Sequence, residues 1–88
     1  MAEKRKEPRK SLIARAEVLW EDGTGVSRIA RAMIEDTSPN GMCIRISKQI
    51  AVGSKIEIKS HRERALGVVK TCRKDGFEYV LGIEREAP

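Results

Sequence analysis

The sequence predicts an all-β domain: a small six-stranded antiparallel β-barrel preceded by a flexible basic N-terminal tail. Three observations predict it. Apolar residues recur at every second position in a series of short stretches. Gly, Pro, Asn, Asp and Ser cluster between those stretches about every dozen residues, which suggests a small antiparallel barrel. No stretch keeps a helical period over several turns.

Residues 1–10, MAEKRKEPRK, form the tail. Three Lys, two Arg and two Glu leave almost nothing to bury, and Pro8 breaks any helix. Residues 11–88 form the barrel domain. Its first strand has Ala14, Ala16, Val18 and Trp20 alternating with Arg15, Glu17 and Leu19. Glu21–Gly25 is a hairpin loop. The second strand is Arg28–Glu35, and Asp36-Thr37-Ser38-Pro39-Asn40-Gly41 is a tight turn. In that turn Pro39 pre-sets φ, Asn40 is expected to tolerate a left-handed conformation, and Gly41 to supply positive φ and close backbone approach. The third strand is Met42–Ser47, with Met42, Ile44 and Ile46 on one face. Gln49–Ser54 is a loop. Lys55–Lys59 is a strict period-two strand, Ser60–Glu63 a turn, and Ala65–Arg73 a fifth strand. Lys74-Asp75-Gly76 is a hairpin turn, and Phe77–Glu84 the sixth strand.

An 88-residue chain makes one domain with one small core. Eighteen Lys and Arg against thirteen Asp and Glu give a net charge of +5, which favours an anionic partner. One Trp, one Tyr and one Phe are too few for a stacking platform on single-stranded nucleic acid, so a nucleic-acid partner is disfavoured. Cys43 and Cys72 lie in apolar runs and read as reduced thiols at or near the core, not as a disulfide framework. His61 is alone in a polar turn, so neither a metal site nor a catalytic residue is expected. The short apolar runs predict no membrane insertion, and the expected localisation is cytoplasmic.

The chemistry concentrates on five residues. Asp36 is not needed for the turn. With Ser38 two residues on, it offers a carboxylate and a hydroxyl to one ligand. Arg5 and Arg9 of the tail are the groups that can face them. A carboxylate accepts from guanine N1–H and the N2 amino group together. A guanidinium forks onto guanine O6 and N7 or onto a phosphate. Taken alone, Arg5 and Arg9 are a solvated tail, and Asp36 and Ser38 cap a turn. Arg28, Arg31 and Arg45 read as ordinary surface charge on the outer sheet.

At these residues the sequence resembles the PilZ domain family. Arg5-Lys6-Glu7-Pro8-Arg9 looks like its RxxxR motif, and Asp36–Gly41 looks like its (D/N)xSxxG motif. Val80-Leu81-Gly82-Ile83 looks like its last strand. The order is right, and the resemblance runs from about Lys4 to Glu84. It implies a non-catalytic receptor or adaptor for the bacterial second messenger cyclic di-GMP, with no other cofactor. Carried over, Arg5 and Arg9 would clasp the ligand, Asp36 and Ser38 would read a guanine edge, and Gly41 would shape the turn. Lys4 would border the ligand. The tail would order over the barrel and signal to an effector protein, from a monomer or weak dimer. Two departures stand out. Many members continue into a helix after the last strand, and many carry Phe where this chain has Arg85. Both are expected to bear on packing at the barrel's end and not on the ligand residues. The alternatives are a nucleic-acid-binding barrel and a degenerate PilZ domain that binds only protein.

Overall fold

Period-two patterns make strands because successive side chains leave a strand on opposite faces. The computed structural model describes residues 14–86. It contains β1 (Ala14–Glu21), β2 (Ser27–Thr37), β3 (Gly41–Ile46), β4 (Lys55–Lys59), β5 (Arg64–Asp75) and β6 (Glu78–Arg85). The strands close into a barrel in the order β1-β2-β3-β6-β5-β4, and β4 pairs back onto β1. Every pairing is antiparallel. Closure leaves no open edge for another chain to extend.

The expected all-β barrel is therefore the observed fold. One face of each strand fills the interior. Val18 stands opposite Ala30 on β2 and Ile58 on β4. Ile44 stands opposite Ile34 and Leu81. Val18, Ile44, Val69 and Leu81 are wholly inaccessible to solvent, and no polar or charged residue among those described is buried. Burying each such aliphatic side chain contributes about 1.5–3 kcal/mol. The β3–β4 connection supplies one more core residue, Ile50, which packs with the barrel interior. Backbone bonds between Gly53 and Val69, and between Val69 and Ser54, tie that connection to β5.

Several strand ends differ from the sequence reading by a residue or two, and two of these differences matter for the turns. β2 does not stop at Glu35; it runs through Asp36 and Thr37, which pair with Cys43 and Met42. The β5–β6 turn is Gly76-Phe77, closed by the pair Asp75–Glu78. Gly76 has φ of 68° while Phe77 does not have positive φ, the pattern of a two-residue hairpin with Gly first. Phe77 is thus a loop tip, 97% exposed, and not the start of β6.

Candidate functional site

The geometry of the Asp36 turn begins with a β-bulge. Ile34 pairs with Ile44, but the next pair is Asp36 with Cys43, so Glu35 is an extra residue. Strict alternation after inward-facing Ile34 would aim Asp36 into the barrel. The extra residue changes the parity. Asp36 lies opposite half-buried Cys43 and is exposed, while Thr37 lies opposite buried Met42. The bulge thus carries the carboxylate to the outer face at the last turn of the strand.

Beyond Thr37 the chain reverses over Pro39 and Asn40. The Ser38 amide donates to the Gly41 carbonyl at 2.8 Å, and the Gly41 amide donates to Ser38 Oγ at 3.2 Å. The Ser38 hydroxyl proton faces the same carbonyl at a long 3.4 Å. One lone pair of Oγ is therefore used by the turn. The weakly held proton and the second lone pair remain able to meet a ligand.

The expected backbone roles of Asn40 and Gly41 are corrected. No non-glycine residue among those described has positive φ, and Gly41 does not have it either. Gly41 is required for a different reason: a Cβ there would lie 2.6 Å from the Ile83 carbonyl oxygen. The close approach is to β6, because Gly41 pairs with Glu84.

Arg85, the last residue of β6, is the feature that sequence reasoning missed. It does touch the motif. Its Nε donates to the Ser38 carbonyl at 2.9 Å and its Nη2 to Thr37 Oγ1 at 2.8 Å. Its backbone N–H donates to the Asn40 carbonyl at 2.9 Å. Glu63, from the β4–β5 loop, accepts from the same guanidinium at 3.2 and 3.4 Å. No local pattern could join residues so far apart in sequence; only the β3–β6 pairing does.

Asp36, Thr37, Ser38, Gly41, Met42 and Cys43 line a shallow pocket of about 230 Å³. Sites that enclose a drug-sized ligand span roughly 300–1,000 Å³, so this one suits the edge of a single planar group. Burial, together with the charges of Glu35 and Asp36, raises the Cys43 thiol above its ordinary value. It is a protonated wall of the pocket and not an activated nucleophile. Asp36, Ser38 and Gly41 are thus brought together. Lys4, Arg5 and Arg9 lie outside the described residues. Ala14, the first described residue, lies at this end of the barrel, where it pairs with Ile34.

The outer wall carries further charge. Arg45 is held by Glu35 at 2.7 Å and Asp75 at 2.9 Å, hydrogen bonds that raise its pKa further above an already high value. Arg28 pairs with Asp22 at the opposite hairpin, far from the turn. Arg15, Arg31 and Lys59 form no ion pair among the described residues, and they line a concavity of about 780 Å³ across β4, β1, β2 and β3. Among the described residues no three His, Cys, Asp or Glu side chains converge as a metal site requires.

No protein-family model matches the chain, and no curated protein matches it.

Proposed function

We propose that this protein is a PilZ-like, non-catalytic receptor for cyclic di-GMP, in which the Asp36–Gly41 turn is the fixed half of the site. The observation that carries the reading is the bulge at Glu35, which presents the Asp36 carboxylate beside the Ser38 hydroxyl in one base-sized pocket. In this reading Asp36 accepts from guanine N1–H and N2–H while Ser38 adds one bond. Arg5 and Arg9 supply the cationic half and meet the remaining guanine and phosphate oxygens.

Chain geometry supports that division. Ala14 is two residues from Asp36 in register. A segment of five residues reaches at most about 17 Å, and one of nine about 31 Å. Arg9 and Arg5 are therefore within reach of a dinucleotide seated at the turn. A pocket this small cannot enclose such a ligand, so the tail must supply the second wall. Ordering that tail subtracts from the affinity.

The decisive experiment is titration calorimetry with cyclic di-GMP on the wild type, Arg9→Ala and Asp36→Ala. Each substitution is expected to weaken binding by roughly tenfold or more, through loss of charge-assisted bonds. Absence of heat with the wild type, or full affinity in both variants, refutes the proposal. A melting scan gives the parallel reading, because a ligand that binds only the native state must raise Tm.

Arg15, Arg31 and Lys59 on the outer wall, which form no ion pair among the described residues, favour a second reading, a nucleic-acid-binding barrel. That reading demands an affinity for mixed oligonucleotides that falls steeply with salt. The cyclic dinucleotide reading demands a preference for cyclic di-GMP over such oligonucleotides. Competition at two salt concentrations separates them.

A further inference from the structure

Arg85 spends its donors on three parts of one turn: the Thr37 hydroxyl, the Ser38 carbonyl and, through its own backbone, the Asn40 carbonyl. Its side chain is 21% exposed. What remains of the guanidinium faces Glu63, with Nη2–Oε2 at 3.2 Å and Nη1–Oε1 at 3.4 Å. Well-formed guanidinium–carboxylate contacts lie near 2.7–2.9 Å, so this pair is bidentate but loose. It has room to tighten or to part.

Glu63 closes a loop with little slack. The Ser60 amide donates to the Glu63 carbonyl at 2.9 Å, and Ser60 Oγ accepts from the amides of Arg62 and Glu63. His61 and Arg62 form the exposed tip of that loop. A displacement of Glu63 therefore moves the tip. The planar guanidinium fork is rigid, so a shift of the Ser38 carbonyl re-aims the face presented to Glu63.

We propose that Arg85 is a positioning residue for the Asp36–Gly41 turn, and that its ion pair with Glu63 couples occupancy of that turn to the His61–Arg62 loop tip. The coupling rests on the turn being half of a cyclic di-GMP site; the positioning role does not. The physical basis is a contiguous hydrogen-bonded chain from the Ser38 carbonyl through Arg85 and Glu63 to the Ser60 amide, whose longest contacts are the two between Arg85 and Glu63.

The test uses the full chain, isotope-labelled for NMR, with cyclic di-GMP as the probe. Without ligand, Arg85→Met should speed amide exchange at Ser38 and Gly41 by roughly tenfold, the loss of about one charge-assisted bond. Arg85→Lys should restore part of the protection, and the β1 and β4 amides report whether the barrel itself has loosened. Unchanged Ser38 and Gly41 exchange overturns the positioning role. With ligand, Glu63→Gln should bind within a few-fold of wild type yet lose the ligand-induced shifts of the His61 and Arg62 amides. Persistence of those shifts in Glu63→Gln overturns the coupling. Failure of the wild type to bind cyclic di-GMP overturns the receptor reading and the coupling with it, while the exchange measurement still decides the role of Arg85.

Discussion

Replacing Gly41 with Ala tests whether the turn is shaped by contact with β6. The added Cβ would lie 2.6 Å from the Ile83 carbonyl oxygen. Carbon–oxygen contacts between neighbouring strands normally sit near 3.3–3.6 Å, so β3 and β6 must part by the better part of an ångström. Both atoms belong to or adjoin the backbone, and no rotamer relieves the clash. Overpacking of this kind costs about 1–3 kcal/mol. In a domain of 60–100 residues each kcal/mol lowers Tm by about 4–8 °C. Gly23→Ala is the control. It has open space around the Cβ position and no positive φ, so it should be neutral or stabilise by up to about 1 kcal/mol. Urea unfolding measures both, with m unchanged if only the native state is affected. A Gly41→Ala protein as stable as wild type would refute the close-approach argument. Equal destabilisation in Gly23→Ala would show that the cost is generic to glycine replacement. Cyclic di-GMP affinity should fall in Gly41→Ala and hold in Gly23→Ala, because only the first moves Ser38.

Two further predictions concern charge. The Asp22 carboxylate accepts from the Thr24 hydroxyl, Arg28 Nε and the Thr24 and Val26 amides, which holds it well below the ordinary carboxylate range. A depressed folded-state pKa contributes stability above the unfolded value, near 3.9, and loses it as pH falls below that value. Melting scans from about pH 5 to 2 should therefore show a steeper acid loss in wild type than in Asp22→Asn; parallel curves would refute it. Arg45→Met leaves Glu35, Asp75 and Glu78 without their shared cation, and should lower Tm at low ionic strength. That loss should shrink near 1 M salt, where the Debye length is about 3 Å. A salt-independent loss would assign Arg45 a packing role instead.

The barrel was legible because its core follows a rule that each strand obeys alone. Ile56 and Ile58 against Glu57, or Ile44 and Ile46 against Arg45, declare their faces without help from other strands. Gly76 was legible as a turn residue, although Phe77 was not, since an aromatic reads as strand and only the Asp75–Glu78 pair places it at the tip. At the site, Asp36, Ser38 and Gly41 were legible as a motif, but the reason for Gly41 was not. Positive φ is the usual demand on glycine, whereas here a neighbouring strand from the far end of the chain excludes a Cβ. Arg85 was illegible as a site residue for the same reason. Its partners at Thr37 and Ser38 are fixed by the β3–β6 register, which no local pattern encodes.

The position of Asp36 is likewise a consequence of the core and not of the loop. An inward carboxylate among Ile34, Ile44 and Ile83 would need a buried partner or several kcal/mol of desolvation, and the interior offers no polar group to meet it. The extra residue at Glu35 removes that conflict and uses its own side chain to hold Arg45 at 2.7 Å. The same device recurs on β5, where Lys70 is the extra residue between Val69 and Thr71. Parity again changes, and Thr71 Oγ1 faces outward to accept from the Gly82 amide at 3.2 Å. Both bulges lie on strands that flank the β3–β6 pair, and both deliver a polar group to the outer face without interrupting the apolar lining. A small barrel with no room for polar groups inside can build a site only on its wall or its ends. Slipping one residue at Glu35 lets an otherwise alternating strand present a carboxylate there, beside a turn whose shape β6 enforces.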